Sequence, residues 1–187
     1  VVGHIERYNP AVQALMSDIK KQKILNCNIT RISPYPTRIS DVGVKLDLGI
    51  HDVDLVRFIT GQNIDIWATT KSNNVSHLED TASFFFDLSG GSTGMIFNSW
   101  MSPFRKRTIR LMTPSAYYDI DMLRQQAVKH TAIDNNSYAA KSLFVNRKNA
   151  LEEQAKAFIK YIKTGKMGHL CSVEDALEAL KYVEEKV

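Results

Sequence analysis

The chain has 187 residues, 44% of them hydrophobic and 24% charged, with 24 basic and 20 acidic side chains and a formal net charge of +4. That length suits one domain with a full core and is cramped for two. The composition is that of an ordinary globular protein, and no apolar run approaches the ~20 residues of a membrane-spanning helix. Acids and bases alternate along most of the chain, so the positive balance suits a small anionic substrate as well as a polyanion. Cys27 and Cys171 are far apart and form no CxxC or zinc-type Cys/His spacing. Neither a disulfide framework nor a metal site is expected, and two buried thiols fit a reducing cytoplasm.

The opening VVGHIERYNP lacks a basic n-region and a small-residue cleavage site, so it does not read as a signal peptide. It also lacks an initiating Met, and its abrupt start reads as a chain cut from something longer. Val1 to Tyr8 suggests a short strand. Asn9-Pro10 then forms an N-cap followed by proline at the first helical position, and Val12, Leu15, Met16 and Ile19 predict an amphipathic helix over residues 11–23. Alternation of Leu25, Cys27 and Ile29 with Asn26, Asn28 and Thr30 predicts a half-buried strand over 24–32. Pro34 and Pro36 end it in a loop.

Asp41 to Gly61, DVGVKLDLGIHDVDLVRFITG, is the most informative stretch. At ~100° per residue Val44, Leu48, Leu55, Phe58 and Ile59 share one stripe, His51 falls inside it, and Asp47 lies one turn earlier. An acid and an imidazole at i and i+4 can touch, which raises the basicity of the histidine and fixes its tautomer. A lone histidine on an apolar face is, however, more often an ordinary core residue.

Beyond Gly61, residues 64–72, 81–88, 93–101, 108–112 and 117–122 are rich in β-branched and aromatic side chains and predict antiparallel strands, with a hairpin turn at residues 88–92. Residues 123–148 give mixed signals and read as irregular or short-strand segments. Helices are predicted over 151–164, stopped by Gly165, and over 172–187, opened by the capping-box-like SVED. Helices before and after a block of strands predict an α+β fold: an open, largely antiparallel mixed sheet with helices on one face. The free face suits an oligomer interface or another domain.

Gly90, Gly91 and Gly94 sit between two strands with no helix after them, so they make neither a phosphate cradle nor a dinucleotide fingerprint. Arg105, Lys106, Arg107 and Arg110 follow Trp100 at a strand end. They read either as a solvated edge or as donors to phosphate or carboxylate, with Trp100 free to stack on a sugar or base. Arg31 and Arg38 flank the proline loop before the Asp47/His51 helix and could face the same cleft, and Arg7 and Tyr8 precede a helix start. His4 reads as surface polarity, and His77, His130 and His169 as solvated loop residues.

On VGHIERYNPAV, RISPYPTRISDVGVKLDLGIHDVDLVRFITG and NSWMSPFRKR, the chain resembles the C-terminal part of the Gfo/Idh/MocA family of glucose-fructose oxidoreductases and inositol dehydrogenases, most of all its members acting on nucleotide-linked sugars. The resemblance implies that residues 1–187 form a single substrate-binding and oligomerisation domain, of the dihydrodipicolinate-reductase-like or glyceraldehyde-3-phosphate-dehydrogenase-like kind. It further implies an N-terminal Rossmann domain that holds NAD or NADP. The DxxxH pattern of the family maps onto Asp47 and His51. By the resemblance, His51 takes the proton of a sugar hydroxyl while hydride leaves for nicotinamide, and Asp47 orients the imidazole or the sugar. Arg7, Tyr8, Arg31, Arg38, Trp100, Arg105 and Lys106 are the expected substrate contacts, with no cofactor-binding or metal-binding residue of the chain's own. The family's Glu-Lys-Pro lysine has no counterpart here, so these residues alone are expected to be inactive. The expected partners are a sugar or nucleotide-sugar substrate and further copies of the chain, with no membrane. A non-enzymatic module for an anionic sugar is the alternative, and nucleic-acid binding is disfavoured by a single short basic cluster with no recognition motif.

Overall fold

The structure is a computed structural model that describes residues 1–20 and 22–184. Lys21 in the first predicted helix and residues 185–187 of the last lie outside the described residues. Helix α1 spans Pro10–Ile19 and strand β1 Asn26–Ile32. A π-helical segment, Lys45–Gly49, runs directly into α2, Ile50–Thr60. Strands β2 (Ile64–Ser72), β3 (Thr81–Leu88), β4 (Ser92–Ser99), β5 (Lys106–Met112), β6 (Tyr117–Asp121), β7 (Gln126–Ala132) and β8 (Tyr138–Ser142) follow, and then helices α3 (Ala150–Thr164) and α4 (Val173–Val183).

All eight strands form one sheet in the order β2-β3-β4-β1-β5-β6-β7-β8. Only β1 and β4 are parallel, because β1 inserts between two hairpin-connected blocks. The fold is therefore the open, largely antiparallel mixed α+β sheet that the sequence predicts. One face carries Cys27, Ile29, Phe84, Phe86, Ile96, Ile109, Leu111, Tyr118 and Ile120, all buried beneath α1 and α2. Asp18 on α1 ties that helix to the sheet by accepting from Tyr118 Oη at 2.7 Å and Lys129 Nζ at 2.8 Å. The opposite face is uncovered, and Trp67, 63% exposed beside a register shift in β2, tilts against Phe85 there with ring centroids 5.7 Å apart.

Most caps read from the sequence are present: Asn9 accepts from Ala11 N, Ser172 accepts from Asp175 N, and Gly61 and Gly165 end their helices in the left-handed region. Asp41 does not cap the long helix, which starts at Lys45 with Val44 before it, and Asn149, not singled out in the sequence, caps α3.

Two expectations are corrected. Residues 1–8 form no strand: Val2 makes one isolated bridge to Cys171, and Ile5–Tyr8 is a 3-10 turn. A strand would send adjacent Glu6 and Arg7 to opposite faces, whereas the turn directs both into the interior. Residues 123–148 contain β7 and β8. Every residue of the edge strand β8 is exposed, so no apolar alternation marks it.

Gly94 lies where β4 meets β1, and a Cβ there would collide with the Cys27 carbonyl and the Phe86 ring. Backbone and a buried aromatic cannot both yield. Gly94→Ala is expected to cost about 1–3 kcal/mol in urea unfolding, while its neighbour on the open face, Met95→Ala, should cost less.

Candidate active site

Helix α2 is buried nearly all round, since Asp52, Val53, Asp54, Leu55, Val56 and Ile59 all face the interior. Two carboxylates in such a place need cationic partners. Arg31 on β1 grips Asp52 through Nε (2.9 Å) and Nη2 (2.6 Å), and Asn98 on the adjoining β4 donates to the same carboxylate at 2.7 Å. Arg7 on the 3-10 turn grips Asp54 through Nε (2.9 Å) and Nη2 (2.5 Å). Glu6 completes the network, accepting from Arg107 at 2.8 Å and lying 3.4 Å from Arg31. Burial works to raise the Glu6 pKa, but Arg31 and Arg107 overcome it and hold the carboxyl below its ordinary range.

His51 stands between these two pairs. Its ring is half-buried, and its partner is His4, whose Nδ1 lies 3.1 Å from His51 Nδ1 with the rings edge to face. The imidazole is therefore not sealed among aliphatic side chains. Burial, with the added charges of Arg31 and His4, lowers its pKa to about 4 against the smaller pull of Asp52 and Asp54, so it is neutral at ordinary pH.

Among the described residues Asp47 makes no hydrogen bond or ion pair with His51, contrary to the helical-spacing expectation. The stretch between them is π-helical over Lys45–Gly49 and α-helical from Ile50, so the uniform α pitch on which that expectation rests does not hold here. The segment lies close to the sheet at Gly49, where an added Cβ would stand 3.0 Å from the Phe84 ring and 3.3 Å from Asn98 Oδ1. Asp47 instead hydrogen-bonds with Trp100 and sits near Arg38; burial outweighs these and raises its pKa.

The predicted substrate contacts divide. Arg7 and Arg31 are 5% and 4% exposed and committed to Asp54 and Asp52, so an anion could reach neither without breaking a buried pair. Trp100 is 2% exposed and meets Tyr35 edge-on at 5.6 Å, leaving no open ring face for stacking. Arg38 and Arg105 are exposed and Lys106 partly so. Tyr8 lines a separate hollow of about 340 Å³ with Phe144 and His169. This hollow and four others, about 210 to 510 Å³ in volume, are lined by residues other than His51.

His4, Asp54 and Cys171 bring metal-type donor atoms within 4.8 Å of one another. The Arg7 guanidinium already occupies both Asp54 oxygens, and burial, then Asp54, pushes the Cys171 thiol up to about 12. The donor set does not fit a cation. His4, Asp52 and Asp54 are the site residues that sequence reasoning passed over. A helix buried on every side signals that its acids must be paired, but nothing local to VVGHIER identifies a histidine that is 3% exposed.

The family model of the GFO/IDH/MocA C-terminal domain matches residues 25–118, and the chain belongs to that family. UDP-N-acetylglucosamine 3-dehydrogenase of Acidithiobacillus ferrooxidans is 29% identical over 124 residues, 65% of this chain and 39% of the relative. A solved structure of UDP-N-acetylglucosamine 3-dehydrogenase GnnA from that organism superposes with a TM-score of 0.88 at 21% identity, over 98% of this chain and 58% of that one. Levoglucosan dehydrogenase in complex with NADH and levoglucosan gives 0.80 at 14%, over 96% and 61%. The chain thus spans well under two-thirds of the length of each.

Arg31→Met should destabilise the protein by about 3–5 kcal/mol in urea, because it strands the Asp52 charge. The depressed pKa of His51 sets a second expectation. Between pH 6.5 and about 4 the unfolded chain binds a proton that the folded one refuses, so stability falls as pH falls through that window and levels off below it. His4, lowered chiefly by burial, adds to the slope. Urea midpoints measured from pH 7 to 4 should decline less steeply for His51→Phe than for the wild type.

Proposed function

We propose that these residues are the substrate-binding part of an NAD(P)-dependent oxidoreductase that moves hydride between nicotinamide and a hydroxyl-bearing carbon of a sugar or nucleotide-linked sugar. The observation that carries the reading is the neutral, half-buried imidazole of an Asp-x-x-x-His helix in a GFO/IDH/MocA C-terminal fold. The names of the relatives agree with it: one is a UDP-N-acetylglucosamine dehydrogenase, and another was solved with NADH and a sugar.

Nicotinamide supplies the hydride acceptor when bound. The described residues do not cradle its dinucleotide, because Gly90 and Gly91 form the β3–β4 hairpin, Gly90 N donates to Gln62 Oε1 at 2.7 Å, and no helix follows. This chain's share is to hold the sugar oxygen and handle its proton. Asp47 and His51 are the groups for that work. Arg38, Arg105 and Lys106 are the cations left to meet an anionic portion of the substrate, while Arg7 and Arg31 hold α2 in place. The uncovered sheet face, with Trp67 and Phe85, is the surface for a second copy of the chain.

In the intact enzyme, His51→Ala should lower kcat by roughly 10²–10⁴-fold with the Kd of the dinucleotide unchanged; normal turnover would exclude the assignment. Trp67→Glu should give a smaller assembly in sedimentation equilibrium, and an unaltered mass would place the interface elsewhere.

A further inference from the structure

The 3.1 Å contact between the Nδ1 atoms of His4 and His51 leaves room for one hydrogen between them, so one ring must donate and the other accept. The two rings then hold opposite tautomers. Two observations decide which is which. Asp54 Oδ2 lies 3.7 Å from His4 Nδ1, and Arg7 fixes that carboxylate by donating to both its oxygens. A lone pair on His4 Nδ1 would face this negative charge, whereas a hydrogen there is favoured by it. On the far side of the ring, His4 Nε2 is buried with no partner. A hydrogen on Nε2 would be a donor with no acceptor, the rarer and costlier of the two unsatisfied states. Both observations put the hydrogen of His4 on Nδ1, from where it points at His51 Nδ1. The hydrogen of His51 is then left on Nε2.

We infer that His4 locks His51 in the tautomer with its hydrogen on Nε2, so that His51 meets the substrate oxygen as a hydrogen-bond donor and not as the base that takes its proton. The identity of that oxygen rests on the sugar-oxidoreductase reading; the tautomer does not. His4 is thus a positioning residue that acts through His51.

The consequence is a division of labour. As the C–H bond releases hydride to nicotinamide, the substrate C–O bond becomes a carbonyl and its O–H proton passes to a separate carboxylate or amine base. Asp47, made more basic than usual by burial, is a carboxylate of that kind on this chain. His51 ends the step protonated as it began. Its N–H stabilises the alkoxide-like charge on the oxygen and, in the reverse direction, polarises the ketone.

Two measurements test this. Nitrogen-15 spectra of the histidine rings at neutral pH report which nitrogen carries hydrogen. His4 is expected on Nδ1 and His51 on Nε2, and in His4→Phe the His51 population should move toward Nδ1–H. A wild-type His51 protonated on Nδ1, or both rings in one tautomer, overturns the inference even where the variant does not fold. In the intact enzyme the amide of His51→Gln places a donor near the Nε2 position without a basic nitrogen. Its kcat should stay within about tenfold of wild type, while His51→Ala loses about 10²-fold or more. Equal loss in both variants overturns the donor role. An intact enzyme with no NAD(P)-linked sugar turnover would defeat the proposed function, and the ring spectra would still decide the tautomer.

Discussion

Asp52 and Asp54 leave α2 on opposite sides of the helix, both in the interior, and each carboxylate is neutralised by an arginine from a different part of the chain. Neither pair is a convenient source of stability, because desolvating the charges offsets much of their attraction. What the pairs fix is orientation. With Arg31 rising from the central strand on one side and Arg7 from the N-terminal turn on the other, α2 cannot rotate without stranding a charge. The azimuth of His51, between the two acids, follows from that restraint. The same restraint explains why the first eight residues fold as a turn, since Glu6 and Arg7 must both reach the interior.

The central row of the sheet is arranged for the same purpose. Arg31 is flanked in register by Asn98 on the parallel neighbour and Arg107 on the antiparallel one. All three side chains serve the two buried acids, Asp52 and Glu6. Polar groups in such density beneath a helix are tolerable because each finds a partner within hydrogen-bonding distance. His4 Nε2 and Asn98 Oδ1 are exceptions, and both belong to residues in contact with this network.

Much of this was legible in the sequence, for identifiable reasons. Strand β3 has its predicted limits because more and less buried positions alternate along it, β2 has them because its β-branched and aromatic residues are bounded by turn residues, and most helix caps were visible because Asn, Ser and Gly perform those roles locally. The DxxxH motif lies, as expected, in one helical stretch. What escaped was long-range. The charge partners of Arg7 and Arg31 lie 47 and 21 residues away, so from sequence alone these cations looked like candidates for a ligand. His4 looked like surface polarity because the residues that bury it come from α2 and the Cys171 region. Trp100 looked like a stacking platform for want of any sign that Tyr35 would meet it.

The π segment has a further bearing on how such a site can be altered. Residues 45–49 and 50–60 form one continuous rod with two pitches, and the acid sits in the wider part while the imidazole sits in the narrower. Their mutual angle is therefore set by a single surplus peptide unit. Loss of one residue there would close the wide turn with the flanks, the proline loop and Arg38 included, nearly in place, and would shift the acid alone against a fixed His51. Length variation at this joint thus offers a route to reshaping what surrounds the imidazole while every side chain that holds it stays the same.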